Sequence, residues 1–433
     1  MITDNKKVAF FTLGCKLNFS ETSTIARNFI EEGYDRVEFN ESADVYVINT
    51  CSVTELADKK CRQIIKKANK LNPEAKIAVV GCYSQLKPEE IAAINGVDIV
   101  LGAKDKMKLI EHIENHKTDE TEVHSCNINE VDEFAPAFSM GDRTRSFLKV
   151  QDGCDYYCSY CTIPFARGKS RNASVAETIQ KAEEIAKNGI KEVILTGVNI
   201  GDFGKSTGES FFDLVKELDK VEGIERIRIS SIEPNLLTDE ILEFVSKSNK
   251  FLPHFHIPLQ SGSDSILKLM RRKYDTLLFS ERIKKIKSLI PDAFIGIDVI
   301  IGFPGETDEL FEETLNFLKQ SDCSFLHVFT YSERPNTRTV KMEGKVPNEA
   351  KTKRSRILHD LSERKLQDFY KQNIDTERSV LFEGNKKENK MFGFTENYIK
   401  VETVFNKELV NSVRKVKLSN VLPSGNVGLE YLK

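Results

Sequence analysis

From Arg143 onward, short apolar runs alternate with amphipathic helical stretches through six repeats, and no other feature of this 433-residue chain constrains its fold as tightly. Strands are expected at residues 146–150, 192–196, 226–230, 254–258, 294–301 and 325–331, with helices at 174–188, 211–221, 238–246, 280–289 and 308–319 between them. Six βα units at this pitch suit a partial TIM-like (βα)6 barrel better than a flat sheet. In such barrels function collects at the carboxyl ends of the strands. Cys154, Cys158 and Cys161 follow the first strand, Thr196-Gly197-Val198-Asn199 the second, Ser231-Ile232-Glu233-Pro234 the third and Leu259-Gln260-Ser261-Gly262-Ser263 the fourth. The fifth runs into Gly302-Phe303-Pro304-Gly305-Glu306-Thr307 and the sixth into Tyr331-Ser332-Glu333-Arg334.

The thiols after the first strand are spaced x3 and then x2. Iron–sulfur cubanes are usually held by four thiolates, so a three-cysteine loop leaves one iron with an open coordination site. A structural zinc loop is the competing reading, although zinc sites favour paired C-x2-C units and four ligands, and no histidine or fourth cysteine lies near.

Residues 1–115 show the same alternation, with strands expected at 8–13, 43–49, 76–80 and 97–101. The first three run into Gly14-Cys15, Thr50-Cys51 and Gly81-Cys82. Groups at the carboxyl ends of parallel strands meet in one crevice, so Cys15, Cys51 and Cys82 are expected to converge as ligands of a second three-thiolate cluster. A single buried cysteine at a strand end is more often a small core residue, but three at equivalent positions are not explained that way. Cys61, Cys126 and Cys323 lack such placement and read as structural or incidental.

The length favours two or three domains, and the net charge of −3 neither demands nor excludes a nucleic-acid partner. An odd count of nine cysteines and a charged start without an apolar segment argue for a reducing, cytoplasmic setting. No run approaches the length of a membrane span. The polar stretch 116–142 reads as a linker, which leaves 143–373 for the barrel and 374–433 for a third unit. There, strands expected at 379–383, 391–395, 398–401 and 413–418 suggest a small OB-like β-barrel. It carries ten Lys or Arg against eight Asp or Glu, and Lys386, Lys387, Lys390, Lys400, Arg414, Lys415 and Lys417 are interleaved with Phe392, Phe394, Tyr398 and Phe405. That mixture fits an RNA-binding module or an ordinary solvated barrel. A basic helical connector, residues 351–365, precedes it.

The C-x3-C-x2-C loop followed by Thr162-Ile163-Pro164 resembles the radical S-adenosylmethionine (SAM) enzymes. With Gly14-Cys15-Lys16-Leu17-Asn18, Asn49-Thr50-Cys51, Gly81-Cys82, Ala166-Arg167-Gly168, His256 to Ser263 and Gly302 to Thr307, nearly the whole chain resembles the methylthiotransferases. The resemblance implies an N-terminal cluster domain, a radical SAM barrel and a C-terminal TRAM domain that binds RNA. It implies two [4Fe-4S] clusters, one on Cys154, Cys158 and Cys161 that cleaves SAM to a radical, and one on Cys15, Cys51 and Cys82 that delivers sulfur. An unactivated aromatic C–H resists acid–base attack, so a cofactor must carry that step. SAM contacts are expected at Thr196, Gly197, Asn199, Ser231, Glu233, Gln260 and Ser261, with Glu233 on the amino group.

The Cys-Lys-x-Asn form of the first motif, followed by Glu21-Thr22, resembles the type acting on N6-threonylcarbamoyladenosine at position 37 of tRNA. Types acting on isopentenyladenosine tRNA or on an aspartate of ribosomal protein S12 are the alternatives. The threonyl carboxylate asks for a cationic pocket, and Lys16 and Arg334 are the candidates to supply it or to assist the chemistry. Partners implied are tRNA, an electron donor such as flavodoxin or ferredoxin, and a sulfur source, with the enzyme a monomer. An iron–sulfur RNA-binding redox protein is the non-enzymatic alternative, though carriers normally complete four ligands per cluster.

Overall fold

A computed structural model describes residues 5–118, 120–141 and 143–432. Met1–Asp4 of the charged start, Asp119 and Asp142 of the expected linker, and Lys433 lie outside the described residues.

The N-terminal unit is a six-stranded parallel sheet in the order β2-β1-β3-β4-β5-β6. Its strands are β1 (Lys7–Thr12), β2 (Asp35–Val37), β3 (Val45–Thr50), β4 (Lys76–Gly81), β5 (Ile99–Leu101) and β6 (Glu122–His124). Every residue of β3 is buried, as a central parallel strand with helices on both faces requires. Thr12 pairs with Asn49 and Thr50 with Gly81, so β1, β3 and β4 end level. The chain leaves them into α1 (Lys16–Glu31), α2 (Glu55–Leu71) and α3 (Cys82–Leu86).

The stretch 116–142 is not a simple linker. β6 adds to the first sheet beside β5, and β7 (Ala137–Phe138) pairs antiparallel with the first barrel strand and packs on α1. Strands of three and two residues are too short for any alternation to register in the sequence.

Six parallel strands form the open barrel: β8 (Ser146–Lys149), β9 (Glu192–Thr196), β10 (Arg226–Ile229), β11 (His254–Gln260), β12 (Phe294–Ile301) and β13 (Phe325–Thr330). Two sheets, β10-β9-β8-β7 and β11-β12-β13, meet through a bridge between Ser231 and His256. Alternation sorts the side chains. Phe255, Ile257, Leu259, Ile295, Ile297 and Val299 join the main core beneath the helices, which leaves His254, His256 and Asp298 on the opposite face, toward the lumen. Helix Asn348–Gln372 lies along β13 and leads to the last unit.

That unit is a closed barrel in the order β14-β15-β16-β18-β17, with β14 (Glu377–Phe382), β15 (Lys390–Thr395), β16 (Lys400–Val404), β17 (Val413–Val421) and β18 (Val427–Tyr431). β18 is an addition to the four expected strands. The barrel docks on the central one through two arginines anchored on buried Glu192. Arg226 Nε and Arg228 Nε donate to its carboxylate at 2.7 and 2.8 Å, while their other nitrogens donate to the carbonyls of Ser379, Phe394, Thr395 and Glu396 at 2.8–3.0 Å. Phe394 stacks on Tyr398, and Tyr398 lies 4.1 Å from the His254 ring. These two rings therefore serve the interdomain contact rather than an RNA face. Among the described residues no helix is long and apolar enough to cross a membrane.

Candidate active site at the facing strand ends

Three loops of the first sheet hold the dispersed thiols. Gly14 has φ +99°, and a Cβ on it would stand 2.8 Å from Cys51 Cβ, so only glycine lets the first loop close on the second. Asn18 Nδ2 donates to the carbonyls of Leu13 and Thr50, both at 2.9 Å, which ties the same two loops together. Burial, aided by Cys82 and Cys15, pushes the Cys51 thiol up to about 12, and burial raises Cys82 although Arg167 opposes it. Cys15, Cys51 and Cys82 thus lie within electrostatic reach of one another. Cys61 is a fully buried residue of α2 whose Sγ donates to the Cys51 carbonyl at 3.5 Å.

The second triad occupies the loop after β8. Gly153 has φ +71°, and a Cβ there would fall 1.9 Å from the Lys169 carbonyl, where the loop folds back on itself. Cys154 N donates to Gly168 O and Cys161 N to Cys158 O, both at 3.0 Å. Burial, then the neighbouring thiols, pushes Cys154 up to about 12, and Cys161 reaches a similar value by burial and the nearness of Cys158. Such thiols stay protonated without metal, and a bound ion reverses that preference. The three soft sulfur donors of each triad lie within electrostatic reach of one another, and the donor chemistry fits a cluster with an iron left open.

Around the second triad the expected cofactor contacts differ in character. Gln151 Nε2 donates to the carbonyls of Asp152 and Gly153, and its Oε1 accepts from the Val198 and Asn199 N–H groups at 3.0 and 2.8 Å. It fixes the Thr196-to-Asn199 turn against the cysteine loop, and Gly197 has no room for a side chain beside Gln151. Thr196 and Asn199 are buried, and the Asn199 amide lies beside Tyr156 and Asp202. Glu233 is ion-paired with Arg272, whose other nitrogen donates to Cys158 Sγ at 3.2 Å. Burial raises the Glu233 carboxyl in spite of that arginine. Gln260 adopts φ +71° at the end of β11. Ser261 turns its hydroxyl back to Thr314 at 3.1 Å and so braces the turn, and Ser231 bridges to His256 through its backbone.

A buried charge network joins the two halves. Glu21 accepts from Lys106, Lys149 and Arg167 at 2.7, 2.8 and 3.1 Å. Asp152 takes Lys149, Arg167 and Arg171 at 2.7, 2.9 and 3.3 Å, and Arg167 reaches Asn18 Oδ1 at 2.5 Å. Burial works against the charge on Glu21, but Arg167, Lys106 and Lys149 outweigh it and hold the carboxyl well below its usual range. Arg167 closes the loop of one triad and lies beside Cys82 and Cys15 of the other. Glu21 and Arg167 stand within quoted motifs, but the role of Glu21 is hidden in the sequence because its partners are more than 80 residues away.

The two candidate cations part company. Arg334 Nη2 donates to Ser52 Oγ and Asp58 Oδ2, both at 2.7 Å, and so secures the Cys51 loop rather than facing a substrate. Lys16 extends toward the barrel lumen, where burial lowers its ammonium below the usual lysine range, with Tyr398 and Asp298 opposing that and Arg145 and Arg228 adding to it.

Residues 7–102 match the uncharacterized protein family UPF0004, and residues 148–318 match the radical SAM superfamily. The chain is 42% identical, over 95% of its length and 93% of the relative's, to threonylcarbamoyladenosine tRNA methylthiotransferase MtaB of Bacillus subtilis. It is 33% identical, over 94% of its length and 93% of the relative's, to tRNA-2-methylthio-N(6)-dimethylallyladenosine synthase of Clostridium botulinum. Its fold is similar to that of the radical SAM methyltransferase TsrM from Kitasatospora setae, with a TM-score of 0.57 and 13% identity over 75% of this chain and 73% of the other.

Proposed function

The chain belongs to the radical SAM methylthiotransferase family, and from that premise we propose that it converts N6-threonylcarbamoyladenosine in tRNA to the 2-methylthio derivative. Its cofactors are two [4Fe-4S] clusters and SAM, which together supply a carbon radical for hydrogen abstraction and a sulfur with its methyl group. We assign the first cluster to Cys154, Cys158 and Cys161 and the second to Cys15, Cys51 and Cys82. The single observation that carries this reading is the placement of Arg167, which closes the loop of one triad while its side chain lies beside the thiols of the other.

Around these centres the protein holds and orients. The Glu233–Arg272 pair beside Cys158 offers a carboxylate to an ammonium and a guanidinium to a carboxylate, the two ends of an amino acid. Thr196, Gly197, Asn199, Ser231, Gln260 and Ser261 form the surrounding turns, with the buried Asn199 amide among them. The exposed Arg414, Lys415, Lys386 and Lys387 of the terminal barrel suit phosphate contacts, which would make affinity fall with added salt. Besides tRNA, this reading requires an electron donor such as flavodoxin or ferredoxin and a source of sulfur. It places a monomeric enzyme in the cytoplasm, where tRNA is processed.

Incubation of reconstituted enzyme with tRNAs carrying either modified base, followed by nucleoside mass spectrometry, tests the substrate. Methylthiolation confined to the isopentenyl base, or to ribosomal protein S12, overturns this assignment.

A further inference from the structure

A polar cluster in the barrel lumen includes none of the residues assigned above to the clusters or SAM. β12 and β13 pair so that Asp298 lies opposite His327, and Ile300 lies opposite Phe329 one step nearer the strand ends. His256 of β11 shares that face, its Nε2 2.7 Å from Asp298 Oδ1 and its ring stacked on His327 with centroids 4.8 Å apart. The chamber is open, since the side chains of His256 and Asp298 keep 22% and 17% of their surface exposed. Lys16 enters it from the first turn of α1, within electrostatic range of Asp298 and His327. Its ammonium makes no hydrogen bond or ion pair with any described residue.

Two ligand chemistries compete for this place. The ligand atoms of His256, Asp298 and His327 lie within 4.8 Å of one another, a span that a divalent cation would accept. An ammonium without a counter-ion beside them argues the other way, because it repels a dication and attracts a carboxylate.

We propose that this chamber receives the threonylcarbamoyl arm of the substrate base, with the arm's carboxylate on Lys16 and its hydroxyl and amide groups on His256, Asp298 and His327. The inference rests on the function proposed above. C6, which carries the arm's nitrogen, and the reacting C2 both flank N1 of the adenine ring, so the pocket for the arm must adjoin the place where C2 reacts. A chamber set below the strand ends suits that geometry. Between it and the strand ends, Ile300 and the half-exposed Phe329 offer an apolar step for the ring itself. An isopentenyl arm has nothing to offer Lys16, Asp298 or the two imidazoles, so the same groups that admit one base reject the other.

The test uses the reconstituted full chain and anticodon stem-loops carrying either modified adenosine, with RNA binding followed by fluorescence anisotropy beside steady-state kinetics. Lys16→Gln is expected to raise KM for the threonylcarbamoyl RNA and weaken its binding, each by about tenfold or more, with iron per chain unchanged. Lys16→Arg is expected to restore most of both. His327→Phe is expected to narrow the preference for this RNA over the isopentenyl one, again about tenfold. Wild-type KM and binding in Lys16→Gln and His327→Phe would remove the arm from this chamber even if the wild-type enzyme modifies the threonylcarbamoyl base. Wild-type enzyme that ignores that base sinks the proposed function and this inference together. Stoichiometric zinc binding that survives loss of the six cluster cysteines and disappears in His327→Phe assigns the chamber to a metal instead.

Discussion

The two cysteine triads, each proposed to hold a cluster, are assembled by opposite routes. Cys154, Cys158 and Cys161 lie within eight residues, and their convergence is a property of one loop that Gly153 folds back on itself. Cys15, Cys51 and Cys82 span 68 residues and meet only because three parallel strands end level. The local site depends on a turn, whereas the dispersed site depends on a whole sheet and on the charges that press it against the barrel. A local site should therefore tolerate damage at a distance that the dispersed one does not.

The largest effect that would break or confirm this comparison is on iron. Anaerobic reconstitution should give about eight irons per chain, and alanine at either triad should remove about half. Iron unchanged by loss of Cys15, Cys51 and Cys82 would sink the second cluster. Next comes Glu21→Gln, which leaves Lys106, Lys149 and Arg167 buried with too little negative charge. We expect a loss of about 3–5 kcal/mol in denaturant unfolding of the apoprotein. The iron remaining after reconstitution should sit mainly on the local triad, and equal depletion of both triads would show that the network does not favour either.

Gly14→Ala is expected to cost about 1–3 kcal/mol through its positive φ and its collision with Cys51, and to lower iron at the dispersed site only. Glu233→Gln sharpens the comparison from the other side. It should weaken SAM binding by about tenfold with iron intact, because it alters what surrounds the local triad and not the triad itself. Loss of iron in that variant would reveal a structural role. The smallest effect is on acid stability. The Glu21 carboxyl is held below its ordinary value of 4.5 by Arg167, Lys106 and Lys149 despite burial, so its contribution is complete above that value and fades as pH falls below it. The melting temperature of the apoprotein should drop below pH 4.5, and the Glu21→Gln variant should drop less steeply. Parallel curves would remove Glu21 as the cause.

Several parts of the site were legible without coordinates, and the reasons others were not are physical. Cysteines after strands announce themselves because strand ends are fixed by apolar runs. Lys149, Gln151 and Asp152 also stand at the end of a strand, but as single polar residues beside the cysteine loop they carry no pattern. Arg272 lies beyond the fourth strand in the turn between two helices, and nothing in its neighbours reports that it turns to Cys158 and Glu233. Phe394 and Tyr398 have the composition of an RNA face, yet they are turned inward by Arg145, Arg228 and His254. β6 and β7 escaped because two or three residues leave no period to read.

By itself the sequence determined the three-part architecture, the placement of six thiols after strands and the family, because periodicity, spacing and turn chemistry are local and survive without partners. Tertiary structure alone decided how charges are shared across the domain boundary. It gave Arg334 to Ser52 and Asp58, gave Glu21 to three cations from distant segments, and left Lys16 without a partner in the lumen. Which cation is spent and which stays free is set by distances of a few ångströms between residues far apart in the chain. No linear pattern encodes those distances, since an ion pair requires only that two opposite charges arrive at the same buried place.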